Sequence, residues 1–207
     1  MKLRPHLLIS ALILGAAGHA TAASSLDLAV TGSITPSACE PTLSNGGVFD
    51  YGKIAAKDLS PDQLTDLGKR TVAISITCDA AVLMALQGKD NRAGSDYEGN
   101  GRYYGLGLVN GTEKLGDFNF TWSNLIADGA AVRSISSQNN GSTWQAASVF
   151  RPNYFVSVAD NTAVAPIPVT TLNGDLELQS WIAPTKDLTL GNELPIDGSA
   201  TLTVQYL

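Results

Sequence analysis

Histidine occurs twice in the 207 residues, at His6 and His19, and nowhere after residue 22. That scarcity removes Ser-His-Asp and Cys-His catalysis, imidazole metal ligation and the usual general base from the rest of the chain. Carboxylates are scattered through turn-rich stretches, and no spacing pairs two of them for acid–base work. The chain therefore reads as a non-enzyme that needs no cofactor and no metal. Basic charge is also scarce, with 13 Lys and Arg against 19 Asp and Glu, so the sequence offers no basic patch for nucleic acid or an anionic membrane surface. No apolar run reaches the roughly 20 residues that span a bilayer. The longest, Leu7 to Ala17, stops short of it, which argues against direct membrane insertion. Only two cysteines are present, Cys39 and Cys78.

What is there begins with a leader. Lys2 and Arg4 make a basic start, Leu7 to Ala17 an apolar centre, and Ala20-Thr21-Ala22 a small-residue cleavage site, so residues 1–22 read as a secretory signal peptide. Its removal takes Lys2 and Arg4 with it and moves the formal charge from −6 to about −8. In an exported chain, two cysteines read as one disulfide, Cys39 to Cys78, better than as free thiols or half a zinc site. The loop it closes, of about 40 residues, is worth roughly 4 kcal/mol on a chain-entropy account.

Directly after the leader, Leu26, Leu28, Val30, Gly32 and Ile34 alternate with Asp27, Thr31, Ser33 and Thr35, the period of an extended strand. No turn and partner strand follow at once, so this strand needs a partner from elsewhere. Further on, residues 48–54 read as a strand, and Ser60-Pro61-Asp62-Gln63 as the start of a short helix ending before Gly68. Residues 70–78 alternate strictly, with Val72, Ile74, Ile76 and Cys78 on one face. The apolar run 80–86 fits a buried strand or a helix fragment, and its neighbourhood favours strand. Residues 88–102 read as a long exposed loop whose acids lack calcium-loop spacing. Strand candidates at 103–109, 118–122, 149–158 and 163–171 are separated by Asn-Gly turns at Asn110 and Asn140. Asn173-Gly174 carries a two-residue hairpin signal. Many short strands with frequent turns predict an all-β sandwich of one domain, residues 38–207, preceded by an extension at 23–37.

Most Trp and Tyr residues read as core. Trp144, beside the polar stretch 136–143, is the one exposed candidate for a ligand loop. The chain ends in a strand with Ala200, Leu202, Val204 and Tyr206 on one face and Leu207 last, and that edge would be an aggregation hazard if left uncovered.

A leader, an alternating extension with Gly32 seven residues before Cys39, a second cysteine at Cys78 and a final strand with penultimate Tyr206 together resemble the chaperone–usher fimbrial (pilin) subunits of Gram-negative bacteria. The stretches TPSACEPTLSNGGVFDYGKI and DGSATLTVQYL look like a less-studied pilin-like branch. The resemblance implies an incomplete immunoglobulin-like sandwich and a fimbrium (pilus) subunit, exported through the periplasm to the cell surface and supporting cell adhesion. It further implies that Leu26, Leu28, Val30, Gly32 and Ile34 form a donor strand, and that Leu202, Val204, Tyr206 and Leu207 mark the groove recognised by a periplasmic chaperone. An outer-membrane usher and neighbouring subunits, identical or related, are the other implied partners, joined by donor-strand exchange. The alternative is a single-domain adhesin that binds a surface glycan through its long loops.

Overall fold

The computed structural model describes residues 29–32 and 38–207. In chain order the strands among them are β1 (Cys39–Leu43), β2 (Thr65–Val82), β3 (Met84–Asp90), β4 (Tyr104–Gly105), β5 (Leu108–Val109), β6 (Glu113–Lys114) and β7 (Gly116–Ala127). They continue as β8 (Ala130–Ala131), β9 (Arg133–Ser137), β10 (Gln145–Ala146), β11 (Val149–Phe150), β12 (Phe155–Ala159), β13 (Val169–Ile182) and β14 (Ala200–Tyr206). One antiparallel sheet runs β1-β2-β13-β7-β11, with β4 and β8 also on β7; the second runs β10-β9-β12-β3-β14. β5 and β6 form a small separate pair. The fold is an all-β sandwich.

Alternation explains which faces meet. In β2, Val72, Ile74, Ile76 and Cys78 are buried while their odd-numbered neighbours face out. β13 answers with Leu172, Leu176, Leu178 and Ile182, and β7 with Phe118, Phe120 and Trp122. From the other sheet, Met84 and Leu86 of β3 and Val156 and Val158 of β12 complete one shared core. Its aromatic centre is Tyr104 stacked on Phe118, and Trp122 set edge-on to Phe150. Cys39 and Cys78 are bonded and lie opposite each other in the β1–β2 ladder.

Several local expectations give way to tertiary context. The Ser60 signal is partly honoured, since Ser60 Oγ accepts the Gln63 N–H at 3.2 Å, but the chain then enters β2 at Thr65 instead of a helix. Gly68, expected at a helix end, lies inside that strand with φ +74°, beside a register shift between Gln179 and Trp181 of β13; a left-handed glycine is what a bulge accommodates. The apolar run 80–86 is no single strand: β2 ends at Val82, Leu83 is exposed, and β3 starts at Met84 in the opposite sheet.

Asn173-Gly174 is no hairpin. Both residues run straight through β13, opposite Ser75 and Ile74 of β2. A Cβ on Gly174 would stand 2.6 Å from Leu125 Cδ2 and 3.1 Å from Ser123 O, so this glycine permits close approach of β7 rather than a turn. Asn110-Gly111 and Asn140-Gly141 do turn, each with two successive positive φ angles.

The stretch 88–102 is also less exposed than expected. β3 extends to Asp90, and Asp90, Ser95 and Asp96 are buried. Their oxygens are spent on the loop itself: Asp90 accepts N–H groups of Arg92 and Gly105, and Asp96 that of Gly101. From below, Asp117 accepts the Tyr97 and Glu98 N–H groups at 2.5 and 3.3 Å. The loop in turn holds the start of β14, with Arg92 paired bidentately to Asp197 at 2.8 Å and Asn91 Nδ2 donating to Ser199 and Thr201 hydroxyls.

Candidate functional site

β1 is the edge of one sheet and β14 the edge of the other. The two edges face the same side of the sandwich, and at one end the Cys39 N–H donates to the Tyr206 hydroxyl at 2.9 Å. Along the rest of their length they stand apart. The groove between them has a first compartment of about 530 Å³, floored by Ile74, Leu86, Phe118, Phe120, Leu176 and Leu178, with Pro41, Leu43 and Phe49 on one wall and Ala200 and Leu202 on the other. A second compartment of about 490 Å³ continues it, sharing Phe49, Tyr51 and Ile196, floored by Leu115, Ile182 and Leu188 and flanked by Ile54, Leu59 and Leu194.

In an antiparallel ladder alternate residues turn their N–H and C=O groups away from the paired neighbour. Among the described residues β14 is paired only to β3, so half of these groups along Ala200–Tyr206 have no ladder partner there and face the groove; β1 does the same beyond β2. The site thus combines a row of backbone donors and acceptors on each wall with an apolar floor. That is the chemistry of strand addition. Ionisable groups stay near the margin. The Tyr51 hydroxyl donates to Gly68 O at 2.9 Å, Arg70 lies over its ring, and burial holds its pKa above the ordinary value, partly offset by the Ser180 hydroxyl. Lys53 and Glu193 form an ion pair at 3.2 Å across the second compartment, both largely in solvent. Among the described residues no group of three or more His, Cys, Asp or Glu is placed to hold a metal ion.

Of the residues singled out from sequence, Leu202 lines the groove, and Val204 is half-buried against the core. Tyr206 and Leu207 are 41% and 44% exposed; Tyr206 closes the groove end, and the Leu207 N–H donates to Leu83 O. Leu26, Leu28 and Ile34 lie outside the described residues. Val30 and Gly32 are described; both are exposed, Val30 at 96%, and neither lies in a strand. Trp144 departs from expectation: it is half-buried, its ring 3.6 Å from where a Cβ on Gly141 would sit, so it packs over its own turn instead of standing free as a ligand platform.

Sequence reading missed the second compartment. Residues 48–54, expected to be a strand, are unpaired, and Phe49 and Tyr51 point their rings into the groove margin, Phe49 lying 6.0 Å from Phe120. Gly52, at φ +63°, interrupts the segment, which pairs with no strand among the described residues.

Comparison with known proteins adds distant likenesses. The model of a family described as "Protein of unknown function (DUF1120)" matches residues 28–111, a span that starts in the extension and includes both cysteines. "Protein GltF" of Escherichia coli (strain K12) is 27% identical, with 91% of each chain covered. "Uncharacterized protein YhcF" of the same strain is also 27% identical, over 88% of this chain and 90% of the other.

Proposed function

We propose that this chain is a structural subunit of a surface fimbria, assembled by the chaperone–usher route through donor-strand exchange. The observation that supports this reading is the groove: among the described residues, two sheets end in edge strands on one side of the sandwich, above a floor of Ile, Leu and Phe. An inserted strand needs apolar side chains on alternate positions, and the extension supplies Leu26, Leu28, Val30 and Ile34. Each would bury area worth roughly 1.5–3 kcal/mol, enough in sum to make a subunit junction slow to part. In this reading a periplasmic chaperone fills the groove first, an outer-membrane usher exchanges it for a neighbour's extension, and the fibre at the cell surface supports adhesion.

The test is assembly. Val30→Asp places a charge on the inserted face and Gly32→Leu adds bulk where no side chain stood. Both variants are expected to abolish surface fibres and SDS-resistant multimers while leaving the yield of chaperone-bound subunit and the Cys39–Cys78 bond unchanged. Normal fibres from both would overturn the reading.

A further inference from the structure

Asparagine followed by glycine is the sequence in which a side-chain amide most easily meets the next backbone nitrogen, because glycine has no side chain to obstruct the approach. The chain has five such pairs, beginning at Asn45, Asn100, Asn110, Asn140 and Asn173, and the fold treats them differently. Asn173 lies within β13, paired to Ser75 on one side and Ile126 on the other. The Asn110 amide donates to Glu113 Oε2 at 2.8 Å and to Thr189 O at 3.0 Å, and that of Asn45 to Val48 O at 3.0 Å. After Asn140 the nitrogen itself is engaged, the Gly141 N–H donating to the Ser137 hydroxyl at 2.9 Å. A hydroxyl accepts such a hydrogen bond but does not carry the proton off.

Asn100 is set otherwise. It and Gly101 are exposed. Asn100 Oδ1 accepts the Arg102 N–H at 2.9 Å, and the turn that this bond closes brings the side-chain carbon Cγ round toward the Gly101 nitrogen. That nitrogen points its own hydrogen at Asp96 Oδ2, 3.3 Å away. Asp96 is 6% exposed and anchored, its carbonyl accepting from Lys114 Nζ at 2.8 Å and from the Gly99 N–H at 3.2 Å. A Cβ on Gly101 would meet nothing within 4 Å, so a ring closing on this nitrogen has room. One turn thus holds a nucleophile, a carboxylate in line to take its proton, and a backbone donor on the oxygen where negative charge would develop.

We propose that Asn100-Gly101 is a self-modifying site, at which the loop converts Asn100 into aspartate and isoaspartate. The Gly101 nitrogen attacks Asn100 Cγ while Asp96 takes its proton, and the Arg102 N–H stabilises the charge that forms on Oδ1. The Cγ–Nδ2 bond then breaks, and Nδ2 leaves as ammonia with the proton returned by Asp96. What remains is a five-membered succinimide. Water opens it at Cγ to give aspartate, or at the Asn100 backbone carbonyl to give isoaspartate, so the net change is uptake of one water and release of one ammonia. Either product adds a negative charge to the exposed turn, and isoaspartate also lengthens the main chain between Asp96 and Arg102 by one carbon.

Peptide mapping of the folded exported protein, aged at neutral pH in heavy-oxygen water, tests this. Asn100 is expected to take up the label about ten-fold faster than any of the other four asparagines, and to lose that lead in concentrated urea, where the turn is undone. Asp96→Asn keeps an acceptor for the Gly101 N–H but removes the base; it is expected to slow Asn100 about ten-fold and to leave the other four unchanged. Conversion of Asn100 no faster than that of Asn45, Asn110 or Asn140 in the folded protein overturns the proposal. So does a lead that survives in urea, since the folded turn would then not be its cause. An unchanged rate at Asn100 in folded Asp96→Asn overturns the part given to Asp96. The urea comparison needs no substitution, so it decides even where that variant fails to fold.

Discussion

Asp117 is the residue at which burial and charge conflict most openly. Its side chain is 1% exposed in β7, and burial raises its pKa from 3.8 to about 6, against the lowering effect of the Glu98 and Tyr97 N–H groups it accepts. A carboxyl that holds its proton more tightly when folded favours the folded state at low pH. Between about pH 4 and pH 6 the unfolded chain releases this proton first, so the contribution of Asp117 to stability falls as pH rises, by up to about 3 kcal/mol. Urea unfolding of the parent and of Asp117→Asn at pH 4, 5, 6 and 7 should show the parent losing ground to the variant across that window. A constant difference between the two would refute the assignment. Asp128 and Asp160 move oppositely, their pKa values lowered first by hydrogen bonds from Thr171 and Thr162; the comparison between parent and variant isolates Asp117 from them.

At the scale of elements, Gly174 separates two meanings of one residue. The pair Asn173-Gly174 has hairpin chemistry, and only the neighbouring strands say otherwise: β2 pairs through it on one side, and on the other Leu125 and Ser123 come too near for a Cβ. Gly174→Val is expected to destabilise the domain by about 1–3 kcal/mol through overpacking, read as a lowered urea midpoint. A gain in stability would mean that the close approach relaxes freely. The same case marks what was legible beforehand. Periodicity found the 70–78 part of β2, the Phe118–Trp122 part of β7 and β14, because there one face is buried and the other wet. It could not find the bulge at Gly68, the change of sheet at Leu83 or the way the 91–102 loop folds over Asp117. Each depends on a partner distant in sequence: β13, the second sheet, and Asp117. Of the groove, Leu202 and Tyr206 could be read from the chain. Phe49, Tyr51 and Ile196 could not, since their role comes from facing one another.

For the molecule as a whole, the disulfide secures the wall that has the fewest other supports. β1 is five residues long and, among the described residues, pairs with β2 alone, so the Cys39–Cys78 bond fixes both its register and one side of the groove. Cys78→Ser is expected to cost roughly 2–5 kcal/mol and to loosen β1 before the rest of the sandwich, seen as faster amide exchange in 39–43 than in β13. Equal thermal stability of parent and variant would contradict this. The opposite wall depends on the chain's last residues. Ala200 pairs with Asp90 and Tyr206 with Met84, so β3 waits through the making of every intervening strand for the neighbour that completes its sheet. Long-range pairing of this kind slows folding and prolongs exposure of unpaired edges. The pairing of β14 with β3 therefore sets the moment at which the second sheet is complete, and that moment depends on a partner more than a hundred residues away in the chain.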